Sequence, residues 1–156
     1  MHAVLLSWNP GRDNDYVWTP PAWESSVVAP CSDGRPITTT WGVAHHFNGI
    51  EPGVDAFLYR QGAHGRGIVA RGTIRSHPGP APHWDPIRAR RGATTKIVDV
   101  ELHEAVPVEH ALGVDRLEAV VPDFAWRKVY SSGRLVAASA AERLRRLWEW
   151  HAAEEV

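Results

Sequence analysis

Cysteine is nearly missing from this chain of 156 residues: Cys31 is the sole one. An internal disulfide and a cysteine-built zinc site are therefore excluded, and a reducing, cytoplasmic setting is expected. Long apolar runs are missing too. The opening MHAVLLSWNP has no basic leader and only a short apolar stretch, so it does not read as a signal peptide. No segment approaches the roughly 18 apolar residues of a membrane span, so no membrane partner is expected. Catalytic signatures are lacking as well: there is no GxSxG, phosphate-binding loop, GxGxxG after a strand, or HExxH. His45 and His46 are adjacent, so their rings cannot easily share one metal, although His64, His83 or Asp55 could join them in space. The expectation is a protein that is not an enzyme, with no catalytic residue, cofactor or metal.

Against these absences stand eight tryptophans, twelve prolines and thirteen glycines. Prolines and glycines in that number imply many turns and long ordered loops. Tryptophans fill the core of a loop-rich domain or stand as flat walls for a ligand. The length suits one domain, 1–156, with a core over about 3–103 and a C-terminal extension over 104–156. The net charge is only −1, but it is unevenly spread. Residues 1–59 have two arginines and six acids, net −4, whereas residues 60–100 have eight cations and two acids, net +6. Residues 101–156 have seven cations and ten acids, net −3. A basic central segment can hold a phosphate backbone even in a nearly neutral protein.

Along the chain, AVLLSW at 3–8 reads as a short buried strand that stops at Asn9-Pro10-Gly11. Residues 11–36 read as a long loop carrying Trp18 and Trp23, and 38–47 as a short helix entered through threonine caps. DAFLYRQG at 55–62 and GIVARGTIRS at 67–76 form a β-hairpin around a glycine-rich connection. Within the first strand Ala56, Leu58 and Arg60 share one face, and Phe57, Tyr59 and Gln61 the other. HPGPAPHWDP at 77–86 reads as a rigid proline loop with Trp84, and TKIVDVELH at 95–103 alternates as a half-buried strand. Short helical turns are expected at 108–121 and irregular or extended chain at 126–137. A final helix opens with a Ser139-to-Glu142 capping box and packs through Leu144, Leu147, Trp148 and His151, leaving Trp150 exposed. Strands joined by aromatic-bearing loops indicate an α+β class with a small curved sheet or barrel.

Trp8 ends the first strand, Trp41 opens the next segment, Tyr59 lies beside Arg60 and Gln61 near a strand end, and Trp84 sits on the rigid loop. Aromatic walls with amide and guanidinium donors suit a flat heteroaromatic ligand such as an extruded base. The segments VLLSWNP, Trp41-Gly42-Val43, GVDAFLYRQGAHGRGIVARGTI and HWD, with a later Ser131-Ser132-Gly133 before LRRLWEW, resemble the EVE domains of the PUA-like superfamily, relatives of the YTH domain. The variety most resembled is fused to HNH nucleases in modification-dependent restriction enzymes. The likeness covers roughly 3–103 and extends less specifically to the tail. It departs at Val54, where the family commonly has Gly-Asp directly.

The resemblance implies a PUA-like curved sheet or small barrel, with flanking helices and a C-terminal helix, and a pocket for a flipped modified base. By position Trp41 and Trp84 correspond to aromatic-cage walls. Trp8, Asn9, Trp18, Tyr59, Arg60, Gln61 and Ser132 would line or support the pocket. Arg88, Arg90, Arg91 and Lys96 are the phosphate-binding candidates. No nuclease motif follows residue 133, so the chain would read and not cut. The expected partner is double-stranded DNA carrying 5-methylcytosine or another modified cytosine, in the cytoplasm at the nucleoid. One alternative is RNA binding, or hydrolysis of a modified nucleoside as in the ASCH type, which would need a lysine and a carboxylate together; Lys96 and Lys128 are the only lysines. Another is a protein-interaction module using Trp150 and the amphipathic tail.

Overall fold

The computed structural model describes residues 1–9, 18–44, 48–62, 66–83, 85–129 and 131–154. Its frame is a mixed sheet of eight strands. β1 (Ala3–Trp8), β2 (Ile37–Ala44), β6 (Thr94–Ala105), β4 (Gly67–Ile74), β3 (Asp55–Arg60) and β8 (Arg134–Val136) lie in the order β2-β6-β4-β3-β1-β8. β5 (Gly79–Pro82) pairs with β6, and β7 (Leu112–Gly113) with β4. β1 runs parallel to β3, and every other pairing is antiparallel. The sheet curls into a half-barrel: the Trp41 indole N–H of edge strand β2 donates to Ser7 O of β1 at 3.0 Å, although the two strands are not neighbours.

The alternation of β1 and β3 divides the core into two apolar clusters, one on each face. Val4, Leu6, Trp8, Ala56 and Leu58 point into the concave face with Val98, Val100 and Leu102 of β6. Ala3, Leu5, Phe57 and Tyr59 point to the convex face, beneath α5 (Ala138–Glu154) and α4 (Val114–Val120). Leu144, Leu147, Trp148 and His151 are the buried stripe of α5, as their spacing predicts, and Trp150 is exposed. Asp55 ties α5 to the sheet by accepting from Arg71 at 3.2 Å and from Arg145 at 2.5 Å. Arg145 also donates to the carbonyls of Met1 and His2.

Four expectations are corrected. Residues 37–44 form a strand, not a helix: Ile37, Thr39 and Trp41 share the inward face, and β-branched residues fit a pleated edge better than the threonines cap a helix. Residues 45–47 lie outside the described residues. The expected loop over 11–36 carries a helical run in its described part, α1 (Pro20–Trp23), a π-helical turn (Glu24–Val28) and α2 (Ala29–Ser32). Thr19 caps it by accepting from Ala22 N, prolines occupy its first turn, and Trp23 and Val27 bury one stripe. The proline loop contains β5, paired with Thr94–Ile97 of β6. Finally, α5 starts at Ala138, so Ser139 lies inside the first turn and does not cap the helix. The 108–121 stretch holds a 3-10 turn (Val108–His110), β7 and α4, and another 3-10 turn covers Trp126–Lys128.

Candidate nucleic-acid interface

Four tryptophans converge on the concave face. Trp8 is held there by the parity of β1, Trp41 by that of β2, and Trp23 by α1, while Trp18 enters just ahead of the Thr19 cap. Trp8 and Trp23 are fully buried, with ring centroids 5.2 Å apart. Trp18 meets Trp8 edge-on at 6.3 Å and Trp23 at 5.2 Å. Trp18 and Trp41 differ from the other pairs: both are partly buried, and their rings are nearly parallel, 22° apart, with centroids 6.3 Å apart.

Hydrogen bonds fix the indoles. Trp23 Nε1 donates to Val106 O at 2.8 Å and Trp41 Nε1 to Ser7 O. The Trp8 N–H is buried with no acceptor among the described residues; the same is true of Trp148 on the opposite face. The Arg60 guanidinium lies 4.9 Å from the centroid of Trp8, and burial pushes its pKa below the ordinary arginine value. Desolvation of a cation against an aromatic face strengthens their mutual attraction.

Ser7 is a junction beside this cluster. Its amide donates to Ser132 Oγ at 3.1 Å and its carbonyl accepts from Trp41. Beyond Leu5 the paired edge of β1 runs out, so these two side chains satisfy backbone groups that a longer β8 would otherwise pair. Gly133 N bonds Leu5 O at 2.9 Å and keeps the 131–133 turn against the strand.

The structure thus brings Trp8, Trp18, Trp41 and Arg60 together and sets Ser132 at their edge. Asn9 follows directly on Trp8 and is half-buried. Tyr59 and Gln61 are not brought to the cluster. Tyr59 faces the convex side, where its hydroxyl donates to Trp126 O at 2.9 Å and its ring stacks on Trp126. Burial raises its pKa, against the opposing hydrogen bond and charge of Arg66. Gln61 donates to Val129 O. Both brace the 126–129 turn. Trp84, His45, His46 and His64 lie outside the described residues. Trp23 joins the quartet without having been singled out; the Thr19 cap, the two prolines and the Trp23–Val27 spacing were the local pattern that marks it as helical and inward-facing.

The phosphate candidates occupy the β5–β6 connection. Arg88 and Arg90 lie on α3 (Pro86–Arg90), Arg91 closes it, and all three are exposed. Arg88 is 3.9 Å from Asp85, and Arg90 and Arg91 have no carboxylate within 4 Å among the described residues. By contrast Arg71, Arg75, Arg116, Arg127, Arg143 and Arg145 each reach an acid within that distance, whereas Arg66 and Arg134 bond to hydroxyl or carbonyl oxygens. Lys96 is half-buried at the start of β6, on the same parity as Val98. No helix among the described residues is long and apolar enough to cross a membrane.

No family model matches the chain, and no curated protein matches it. Solved structures do. A hypothetical protein from Leishmania major superposes with a TM-score of 0.63 at 15% identity, covering 96% of each chain. The human THYN1 protein, in complex with DNA containing 5-methylcytosine, gives 0.56 at 15% identity, over 96% of this chain and 98% of that one. An X-ray structure of a Pseudomonas syringae protein gives 0.58 at 15% identity, over 92% and 97%. At that identity the likeness fixes the fold, and with the curled mixed sheet and the C-terminal helix it places this chain in the PUA-like α+β architecture.

Proposed function

We propose that this domain reads a modified base in DNA, with 5-methylcytosine or another modified cytosine as the target, by extruding the base and stacking it between Trp18 and Trp41. The observation that carries the reading is the near-parallel pair itself. Stacked bases rise about 3.4 Å per step, so a ring held between two others needs about 7 Å. The 6.3 Å between the Trp18 and Trp41 centroids is the upper limit of the gap between their planes, so these partly exposed rings must part by roughly an ångström to admit a base. The fully buried Trp8 ring, with Arg60 beside it, backs the pair. The DNA-bound state of the THYN1 structure supports the same reading at the level of fold.

The energetics are consistent. Base extrusion costs a few kcal/mol, and aromatic stacking returns roughly 1–3 kcal/mol per base. Phosphate contacts from Arg88, Arg90, Arg91 and Lys96 supply a further, salt-dependent part. Burying a 5-methyl group contributes only about 0.8 kcal/mol, roughly fourfold in affinity. Greater selectivity therefore has to come from a slot that an unmodified base fills poorly. On this reading the domain binds and does not catalyse.

The test is fluorescence anisotropy on matched duplexes carrying cytosine, 5-methylcytosine, 5-hydroxymethylcytosine or N6-methyladenine, plus the matched RNA, at two salt concentrations. Tighter binding to one modified duplex, weakening with salt, is the expected outcome. Equal binding to all duplexes, or preference for the RNA, overturns it.

A further inference from the structure

We infer that Ile87 is an apolar wedge that enters the base stack of a bound duplex beside the extruded nucleotide. The inference rests on the base-flipping reading above and adds a part to it: the element that occupies the stack while the tryptophans hold the base.

Ile87 is 61% exposed, one of five large apolar side chains so placed among the described residues. The others have ordinary settings: Met1 is the chain start, Trp150 lies under the Arg116 guanidinium at 4.1 Å, and Val120 and Leu135 are each 41% exposed. A single exposed aliphatic needs no explanation in general. Three features set this one apart.

Its backbone is braced. Ile87 N donates to Asp85 Oδ1 at 2.9 Å, and Asp85 N donates to His83 Nδ1 at 3.0 Å. His83 N donates to Ala93 O and Ala93 N to Arg88 O, both at 3.0 Å, while Gly92 turns the chain at φ +79°. The side chain is therefore presented outward on a fixed knob. Basic residues follow it: Arg88, Arg90 and Arg91 lie within four residues, two of them with no carboxylate within 4 Å among the described residues. An exposed apolar tip followed along the chain by three exposed arginines suits a ligand that is apolar within and anionic outside, which describes stacked bases between phosphate strands. The knob also leads directly into β6, the strand with which Trp41 pairs. Trp41 pairs with Val98 of β6, and Thr94, where the β5–β6 hairpin ends, is four residues away, about 13 Å along the strand. Side chains of this type insert between base steps and partly unstack them, so burying Ile87 offsets part of the cost of extruding the base.

The experiment compares the full chain with Ile87→Ser and Ile87→Leu on two duplexes carrying the best-bound modified base, one fully paired and one with an abasic site opposite that base. Unchanged melting temperatures establish that the knob is intact. Ile87→Ser is expected to lose about tenfold in affinity for the paired duplex, and less than about threefold for the abasic one, where the base is already unpaired. Ile87→Leu should keep wild-type affinity for both. Equal affinity of Ile87→Ser and wild type, or equal loss on both duplexes, overturns the wedge and leaves the reader function standing. Absence of any preference for modified DNA in the wild type overturns both. Ile87-dependent binding to phosphatidylserine vesicles, without an effect on DNA, assigns the knob to a membrane surface and overturns the wedge.

Discussion

The two faces of one sheet spend their aromatic residues differently. On the convex face Trp126 is fully buried, donates to Val121 O at 2.9 Å, stacks on Tyr59, and accepts the Tyr59 hydroxyl at its carbonyl. These contacts tie the 126–129 turn to the sheet and to the end of α4, and Arg127, Arg143 and Arg145 on this side are paired with acids. On the concave face Trp18 and Trp41 are only partly covered and nearly parallel, and along the β5–β6 connection the arginines of α3 are turned to solvent. Residue type alone therefore does not mark a site. Ring geometry does not either, since Tyr59 and Trp126 lie 26° apart at 6.2 Å against 22° and 6.3 Å for Trp18 and Trp41; what sets the concave pair apart is incomplete burial, and that can be tested against the convex face.

The largest effect is expected from Trp126→Ala. It removes a fully buried ring and its hydrogen bond, at a cost of about 3–5 kcal/mol, seen as a fall in Tm of roughly 10 °C or more. Trp18→Ala should do the reverse: a small change in Tm, but a loss of about 1–3 kcal/mol in binding to the modified duplex, roughly 5- to 150-fold. A large drop in Tm for Trp18→Ala with proportionate loss on every duplex would erase the contrast between the faces and make the quartet a second core.

Asp55→Asn asks whether the convex face is held electrostatically as well as by packing. Asp55 accepts from two arginines that are each less than a fifth exposed, and hydrogen bonds to charged groups of this kind contribute about 1.5–3 kcal/mol. Urea denaturation should show a loss at the lower end of that range with affinity for DNA unchanged. Arg90→Ala and Arg91→Ala should leave stability alone and each reduce the slope of log affinity against log salt by about 1, equally on modified and unmodified duplexes. A slope that does not change removes α3 from the interface.

Much of this architecture is legible in the sequence. Alternation in AVLLSW, DAFLYRQG and TKIVDVELH places β1, β3 and β6, and the Leu144–Leu147–Trp148–His151 spacing places α5 and its buried face. The same alternation already separates Tyr59 and Gln61 from Arg60, so their gathering into one pocket went against a period of two that the residues display. β2 was harder to read because three threonines serve equally as helix caps and as strand residues, and only pairing with β6 decides between them. β5 hides behind its prolines, which an edge strand tolerates. The Trp18–Trp41 pair joins positions 23 residues apart through the curl of the sheet, and no local pattern carries that information. What was readable there was composition, an excess of tryptophan looking for a use.

The smallest effect separates the two sets of arginines by pH. The Arg75 hydrogen bond holds the Glu101 carboxyl below its usual range, and the Arg143 hydrogen bond does the same for Asp123. A depressed folded-state pKa means that each pair contributes stability when the carboxyl is ionised in both folded and unfolded chains, and that this contribution is lost as pH falls from about 4 through the lower folded value. Both acids are exposed to solvent screening, so the effect is modest. The Tm difference between wild type and Arg143→Ala should therefore be steady near neutrality and shrink below about pH 4. Arg90→Ala, with no acid within 4 Å among the described residues, should show no such difference at any pH. If the Arg143→Ala difference persists undiminished at low pH, the stem of Arg143 stabilises the convex face by packing, and the charge pairing that distinguishes this face from α3 is incidental there.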